Sequence, residues 1–323
     1  MNLKKEKILV IGAGAWGTAI ANLIAKNSYQ VFLNANRSEI IDEIEQKNSN
    51  ERFLPNIKLS SSILAVSEFV TDVDFVFIVT PSSNAAKIFT EIAHTKFKKN
   101  CNFIICSKGA EQESLRLLSD VFEKTVRNKN YAVLSGPNFA LEVANEVPTV
   151  TTVASRNKKL AGKVIEVLNN SYFQASYFKD PRTAEICGIV KNIIAIGCGI
   201  VDGLELGVNA KSALVMKGVA EIQLLCKKMK ASSDIINAAG FGDIFLTCSS
   251  EKSRNNSLGR LIAQGHKPEE GKTYEGAASA KAIAAIAKKF KLKLDLCEEI
   301  NEILCHNFST QEIKEKIIKA ILK

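Results

Sequence analysis

The sequence is poor in the residues that build metal centres and disulfide frameworks. Its three histidines, His94, His266 and His306, show neither the HExxH motif nor a similar metal-ligand spacing, so we predict no metal site. Eight cysteines are scattered over 323 residues without a CxxC pair, which argues against a zinc framework and a dense disulfide scaffold. Such cysteines are typical of reduced, mostly buried thiols, and we therefore expect a cytoplasmic protein.

The chain also lacks a block of like charge and a long apolar run. The formal net charge is +9, but the basic excess is spread evenly, so the sequence indicates mild attraction of anionic ligands and no nucleic-acid binding. The most apolar later segment, residues 193–201, is short and contains two glycines. It predicts a buried helix and no membrane span.

Charge is missing altogether from residues 8–25, "ILVIGAGAWGTAIANLIA", a pattern that a secretory signal peptide after Lys4 and Lys5 would also show. Gly12, Gly14 and Gly17, however, have GxGxxG spacing between a strand-like and a helical pattern. Such glycines allow a tight turn, a close approach of the backbone to a pyrophosphate, and close packing of helix on strand. The strand-like "QVFLNA" that follows completes a βαβ unit, which favours a dinucleotide site over a signal peptide.

Strand-like and helical patterns alternate through the first half of the chain. The strand-like segments are 74–81, 102–109, 131–137, 148–155 and 172–178, and the helical ones include 38–47, 82–97 and 113–126. This alternation predicts an α/β, Rossmann-type doubly wound sheet that is mainly parallel.

The pattern changes at Asp180, a good N-cap, and Pro181, a good first helical residue. Almost everything after them is helical in pattern. We therefore predict a dinucleotide-binding domain over residues 1–180 and an all-α substrate and catalytic domain over residues 181–323.

Lys191 is conspicuous because it interrupts the apolar helical segment "EICGIVKNIIAIGCGI", where a charge is costly to bury. Gly188 and Ala195 lie on the same helix face and leave room for a ligand. Burial or a nearby cation would lower the pKa of such a lysine and suit it to proton transfer. A lysine whose amine extends to water is the alternative, and the sequence leaves both open.

Three other positions are candidates for ligand contacts. Arg254 lies between Ser253 and Asn255 at a predicted helix start, which indicates either an anion site or an ordinary capped surface helix. Asp243, in the Gly-rich "GFGD", is suited to orienting a substrate hydroxyl or to capping a turn. Lys108 is the charged side chain at the mouth of the loop "CSKGAE".

Several strings occur together and in order: "IGAGAWGTAIA", "FLPNIKL", "CSKGAE", "SGPNFA", "IVKNIIAIGCGIVDGLELGVNAKSAL", "GFGDIFLTC", "SRNNSLGR" and "TYEG". In this combination the chain resembles the bacterial NAD(P)-dependent glycerol-3-phosphate dehydrogenases over nearly its whole length. The resemblance implies that Lys191 is the general acid/base. It implies that the triose or glycerol phosphate is held by Lys108, Gly136, Asn138, Lys191, Asp243, Ser253, Arg254 and Asn255. It implies cofactor contacts at Trp16, Lys108, Ala140, Arg254, Thr273 and Glu275.

The chain departs from the family pattern at three places. Ala15 replaces the usual Ser, although its backbone N–H can still bind a phosphate, and Asn138 replaces a frequent Thr or Ser. The second strand ends in "NANRSE", without the family's Trp-Ala-Arg string and without the acid that selects NAD. Asn36 and Arg37 lie there instead, and Arg37 can pair with a 2′-phosphate. We therefore predict that NADP(H) serves at least as well as NAD(H).

These features predict an oxidoreductase that reversibly reduces dihydroxyacetone phosphate to sn-glycerol 3-phosphate and supplies glycerophospholipid synthesis. Its partner is a small phosphorylated triose, and a homodimer is compatible with this interpretation. One alternative is a related two-domain dehydrogenase for a hydroxyacyl compound or a sugar acid, which the "SRNN" string disfavours. The other is a non-catalytic dinucleotide sensor, which the presence of Lys191 and Asp243 disfavours.

Overall fold

A computed structural model describes residues 3–111, 115–250, 252–266 and 274–322. The chain divides into two compact units. The first comprises residues 1–111 and 118–181, and the second comprises residues 112–117 and 182–323.

The first unit contains an eight-stranded sheet with helices between the strands. Its elements are β1 (Lys7–Ile11), α1 (Ala15–Lys26), β2 (Gln30–Asn34), α2 (Ser38–Lys47), β3 (Ile63–Val66), β4 (Phe75–Ile78), α3 (Ser82–His94), β5 (Asn102–Ile105), α4 (Leu118–Val126), β6 (Tyr131–Ser135), α5 (Ala140–Ala144), β7 (Thr149–Ala154), α6 (Lys158–Leu168) and β8 (Phe173–Phe178). The strand order is β3-β2-β1-β4-β5-β6-β7-β8, and every neighbouring pair is parallel except β6 and β7.

The central strands are continuous apolar runs because helices cover them. Strands β4 and β5 are buried along their whole length, as expected for inner strands of a parallel sheet. The order reverses at β1, which pairs with β2 on one side and β4 on the other, and ligands of doubly wound sheets bind beside such a reversal. The predicted α/β doubly wound fold is confirmed.

Several elements differ from the sequence-based prediction, which named neither α5 nor α6. Strand β3 was not predicted, because it is a four-residue edge strand with one exposed leucine, Leu64, and too short to show a period. Helix α4 begins at Leu118 rather than near residue 113. Leu115 has a positive φ of 56°, which a helix cannot contain.

In the part of the second unit that the structure describes, all the regular elements are helices. Its helices are α7 (Pro181–Gly203), α8 (Val208–Lys228), α9 (Asp243–Ser249), α10 (Arg254–Ala263), α11 (Glu275–Phe290), α12 (Asp295–Cys305) and α13 (Thr310–Leu322), with a π-helical turn over Ala238–Gly242. Helix α7 begins at Pro181, as predicted. Among the described residues it is the one helix long and apolar enough to cross a membrane, and its most apolar window is wholly buried in the protein. It is the predicted buried helix.

Two contacts fix helices around α7 and α8. Gly199 of α7 and Gly259 of α10 lie back to back, since a Cβ at Gly199 would collide with the carbonyl oxygen of Asn256, and one at Gly259 with that of Ile196. The backbones of α7 and α10 therefore touch. In α8, the buried carboxylate of Glu221 accepts hydrogen bonds from the N–H groups of Leu296 and Cys297 at 2.6 and 3.1 Å, and so caps the start of α12.

Candidate functional site

The glycine-rich turn joins β1 to α1 and leaves open space over its middle. Gly12 has a φ of +111°, and a Cβ there would lie 2.6 Å from the carbonyl oxygen of Val79. A Cβ at Gly17 would collide with the carbonyl oxygen of Gly12, so strand and helix pack in direct contact. The Cβ position of Gly14, in contrast, has nothing within 4 Å.

The start of α1 fits a pyrophosphate. Gly14 is the N-cap and has no side chain to satisfy the free N–H groups of the first turn, which also contains no acid. These N–H groups and the positive end of the helix dipole favour an anion. Ala15 and Trp16 lie in this turn, and Trp16 also packs against the apolar core of the first unit.

Asn36 and Arg37 follow β2, the strand next to β1, and both are exposed. Asn34 is held at the sheet edge, because its amide donates to the carbonyl oxygens of Val66 and Ser67 at 3.3 and 3.0 Å. Glu39, the nearest acid, lies in the first turn of α2, as predicted. Asn36 and Arg37 are thus exposed polar side chains at this strand end, and they are not bonded to the sheet as Asn34 is.

Lys108 lies half-buried in the loop that follows β5. The hydroxyl of the preceding residue, Ser107, donates to the carbonyl oxygen of Thr80 at 2.6 Å, which ties this loop to the one after β4. Both loops leave the carboxyl ends of parallel strands, where ligands of this fold bind.

Gly136 and Asn138 lie in the loop that follows β6, and Ala140 begins α5. The carboxamide of Asn138 donates to the carbonyl oxygen of Val150 at 2.9 Å and accepts from the hydroxyl of Thr151 at 3.0 Å. Both partners belong to β7, so Asn138 stabilises the antiparallel junction of β6 and β7. Its predicted substrate contact stays a prediction.

Lys191 and Asp243 form a buried ion pair in the second unit. The Nζ of Lys191 lies 2.6 Å from Oδ1 of Asp243, and the two residues are 6% and 1% exposed. The amine is therefore held inside the protein and does not extend to water. The charge beside it is an anion, which stabilises the ammonium and aims it. The carboxylate of Asp243 is directed at the lysine, so it is more than a helix cap.

Thr247 also bonds to Lys191, and it was not predicted from the sequence. Its hydroxyl accepts a hydrogen bond from Nζ of Lys191 at 3.0 Å and donates to the carbonyl oxygen of Asp243 at 2.6 Å. The one signal in the sequence is its position four residues after Asp243 on a helix, where both side chains share a face. Because the hydroxyl hydrogen is donated to the Asp243 carbonyl, the hydroxyl oxygen is available to accept from the amine of Lys191.

The start of α10 lies beside the segment of α7 that follows Lys191. The Ser253 hydroxyl accepts from the N–H of Asn256 at 3.3 Å and caps the helix, while Arg254 is exposed. The Oδ1 of buried Asn255 accepts from the N–H of Gly276 at 3.0 Å. A Cβ on Gly276 would lie 3.1 Å from the carbonyl oxygen of Asn192, so the backbone of Gly276 lies close to α7 as well as being bonded to Asn255 of α10.

Glu275 is exposed in the first turn of α11. Thr273 lies outside the described residues, so its predicted cofactor contact stays a prediction. Within each unit the structure brings the predicted residues into groups: the glycine turn with the end of β2, the loops after β5 and β6, the Lys191 pair, and the starts of α10 and α11.

Cys248 is a buried thiol in the same unit as Lys191. A hydrogen bond with Cys198 and burial both raise the pKa of the Cys248 thiol well above its ordinary value, and the charge of Lys191 opposes them only in part. A thiol in this state is protonated at neutral pH and is a poor nucleophile.

A doubly wound sheet with a glycine-rich first turn, followed by a helical unit that buries a lysine–carboxylate pair, defines the class of nicotinamide-dependent dehydrogenases. Two family models match this chain in succession. The NAD-dependent glycerol-3-phosphate dehydrogenase N-terminus matches residues 7–161, and the C-terminus of the same family matches residues 180–315. The chain belongs to the NAD-dependent glycerol-3-phosphate dehydrogenase family.

Individual relatives agree with the family models. The glycerol-3-phosphate dehydrogenase [NAD(P)+] of Caulobacter vibrioides is 38% identical over 93% of this chain and 92% of its own length. The protein of the same name from Bacillus velezensis is 34% identical over 98% and 95%. The crystal structure of glycerol-3-phosphate dehydrogenase from Coxiella burnetii superimposes with a TM-score of 0.91 at 30% identity, covering 99% of both chains.

Proposed function

We propose that this protein catalyses the reversible reduction of dihydroxyacetone phosphate by NAD(P)H to sn-glycerol 3-phosphate. The observation that carries the proposal is the buried Nζ of Lys191, held at 2.6 Å by Asp243 and at 3.0 Å by Thr247. The family match supplies the substrate class. The glycine turn fits the dinucleotide, which when bound supplies a hydride to the substrate carbon C2.

Lys191 donates the proton that the reduction requires. Negative charge develops on the C2 oxygen as the carbonyl is reduced, and a preorganised ammonium stabilises that charge and transfers a proton to the oxygen. Asp243 and Thr247 each accept a hydrogen bond from the ammonium, and these two bonds hold the Nζ of Lys191 in position. In the reverse direction the neutral amine takes the proton back from the C2 hydroxyl.

The start of α10 anchors the substrate phosphate. Ser253 caps the helix, Arg254 is exposed and free to reach an anion, and helix N-termini favour negative charge. Binding energy at the phosphate orients the reacting carbon, which is remote from it. Asn255 keeps this turn in place through its bond to Gly276. We assign Lys108, Gly136 and Asn138 to the substrate on the family resemblance.

The first unit holds the dinucleotide at Gly12, Gly14, Ala15, Trp16 and Gly17. Further contacts are assigned to Asn36, Arg37, Lys108, Ala140, Arg254, Thr273 and Glu275. No acid follows β2 before α2, so no carboxylate at the strand end repels a 2′-phosphate, and exposed Arg37 is free to attract one. This arrangement supports use of NADP(H) at least as well as NAD(H).

The proposal extends to the setting of the enzyme. Seven of the eight cysteines are buried and all are free, which supports a reducing, cytoplasmic location. The product is the backbone of glycerophospholipids, so their synthesis is the proposed destination. A homodimer is supported by exposed apolar side chains on α8, where Val208 and Met216 are 78% and 70% exposed. Light scattering in solution tests it.

The decisive experiment is cofactor oxidation by the purified protein with dihydroxyacetone phosphate. Loss of reduced-nicotinamide absorbance, with sn-glycerol 3-phosphate as the product, is the expected result. Oxidation with 3-oxoacyl or oxidised sugar-acid substrates in place of dihydroxyacetone phosphate would support the alternative dehydrogenase. Dinucleotide binding without turnover on any of them would support the sensor.

A further inference from the structure

Asn50 is a wholly buried polar residue that none of the site assignments uses. It lies in the segment between α2 and β3 and is 0% exposed. Its Nδ2 donates to the carbonyl oxygen of Ala13 at 3.0 Å and to the hydroxyl of Thr18 at 2.8 Å. Ala13 lies between Gly12 and Gly14 in the glycine turn. The orientation of the amide is fixed because a carbonyl oxygen can only accept.

The bond to Ala13 controls the direction of a neighbouring donor. In a trans peptide the C=O of one residue and the N–H of the next point in opposite directions. With the Ala13 carbonyl turned towards Asn50, the N–H of Gly14 points away from Asn50. Rotation of this peptide would present a carbonyl oxygen, and not an N–H, to a bound phosphate.

Asn50 is not needed to hold its own segment. Leu54, Ile57 and Leu59 anchor that segment in the apolar core, with exposures of 1%, 8% and 4%. A second asparagine, Asn22 of α1, accepts from the N–H of Ser60 at 2.9 Å. Asn50 also keeps its Oδ1 buried without a partner among the residues described, which costs stability. A residue that carries such a cost has a use other than packing.

We propose that Asn50 is a positioning residue for dinucleotide binding, which orients the Gly14 N–H for the cofactor pyrophosphate by holding the Ala13 carbonyl. The inference rests on the proposed dinucleotide site. Asn50 influences the binding of the pyrophosphate, which NADH and NADPH share, so loss of Asn50 weakens the binding of both cofactors equally. It acts before chemistry, so turnover at saturating cofactor is unaffected.

The test compares Asn50→Leu with Asn22→Leu by calorimetric titration of NADPH and NADH and by steady-state kinetics. Each variant removes a buried amide that joins the same segment to the α1 region, but Asn50 alone contacts the glycine turn. For Asn50→Leu we expect Kd and KM of both cofactors to rise about tenfold, the scale of one hydrogen bond, with kcat within about twofold of wild type. Asn22→Leu keeps wild-type cofactor affinity.

Asn50→Ala is the second variant if Asn50→Leu fails to fold, because it removes the donor to Ala13 without adding bulk or charge. Unchanged Kd in a folded Asn50 variant overturns the proposal, as does an equal rise in Asn22→Leu, which would show a general effect of the segment. Wild-type protein that binds neither cofactor would contradict the proposed function itself, a result distinct from either.

Discussion

The Nζ of Lys191 and the Oδ1 of Asp243 lie 2.6 Å apart, although 52 residues separate them and both side chains are almost wholly buried. Breaking a buried pair leaves an uncompensated charge, so replacing either residue is expected to destabilise the helical unit, whatever its effect on the proposed chemistry. The experiments on this site therefore need controls that separate folding from proton transfer.

Lys191→Ala is expected to lower kcat by about 100-fold or more, the usual scale for a lost general acid/base, with little change in cofactor affinity. Lys191→Arg keeps a cation for Asp243 and is expected to fold well but stay slow. Lys211→Ala is the matched control, because Lys211 pairs with Asp202 at 2.8 Å in the same unit outside the proposed site. Near wild-type kcat in Lys191→Ala at saturating substrate would remove Lys191 from the mechanism.

Thr247→Val removes the hydroxyl that accepts from Lys191 and keeps the side-chain shape. A hydrogen bond to a charged group contributes roughly 1.5–3 kcal/mol, so kcat is expected to fall about tenfold or more while the Michaelis constants change little. Thr183→Val is the control, since buried Thr183 of α7 donates to the backbone of Ser232 at 2.7 Å. Equal losses of kcat in both variants would indicate a general packing effect.

Arg254→Ala is expected to raise KM for dihydroxyacetone phosphate, because a charged hydrogen bond contributes roughly 1.5–3 kcal/mol. The variant should narrow the difference in kcat/KM between dihydroxyacetone phosphate and unphosphorylated dihydroxyacetone. Arg260→Ala, at the other end of α10 and paired with Asp202 at 3.2 Å, is the control. If the ratio of kcat/KM for the two substrates does not change in Arg254→Ala, this residue does not contact the phosphate.

Cofactor choice is tested at Arg37. NADPH is expected to serve at least as well as NADH, with the preference weakening as salt screens the exposed arginine. Arg37→Ala should raise KM for NADPH and leave that for NADH unchanged, whereas Arg156→Ala, whose guanidinium pairs with Glu123 at 3.2 Å, should change neither. A strong NADH preference in the wild-type enzyme would contradict the assignment.

Glu221→Ala tests the cap of α12. Removal of the carboxylate leaves the buried N–H groups of Leu296 and Cys297 without their acceptor, each at a cost of about 1–3 kcal/mol. We expect the free energy of unfolding in urea to fall by about 2–4 kcal/mol. Glu312→Ala, an exposed carboxylate that bonds to Ser309 at the start of α13, should cost less than 1 kcal/mol. Equal losses would show that burial of the Glu221 cap is unimportant.

Local patterns were sufficient to predict much of the fold. The glycine turn, the apolar strands and the start of α7 at Pro181 depend on residues close together in sequence, and each lies where it was expected. Strand β3 depends on pairing with β2 at the sheet edge, which no four-residue pattern reveals.

The residues of the candidate site also divide into those that local sequence patterns indicated and those that only the structure identifies. Lys191 was found because a charge in an apolar helix is anomalous, and Asp243 because a carboxylate follows glycines. That the two form a pair depends on the packing of α9 against α7. Thr247 and Asn50 are ordinary residues in sequence, and their partners identify them only in three dimensions.

Because Gly199 and Gly259 let the backbones of α7 and α10 touch, the spacing between the backbone of Lys191 and the Ser253–Asn255 turn is set by direct main-chain contact. This spacing is therefore fixed. A substrate with one carbon more or fewer between its carbonyl and its phosphate cannot be accommodated by sliding one helix along the other. If Lys191 and this turn hold the two ends of the substrate as proposed, discrimination by chain length should persist in variants whose phosphate affinity or turnover has been reduced.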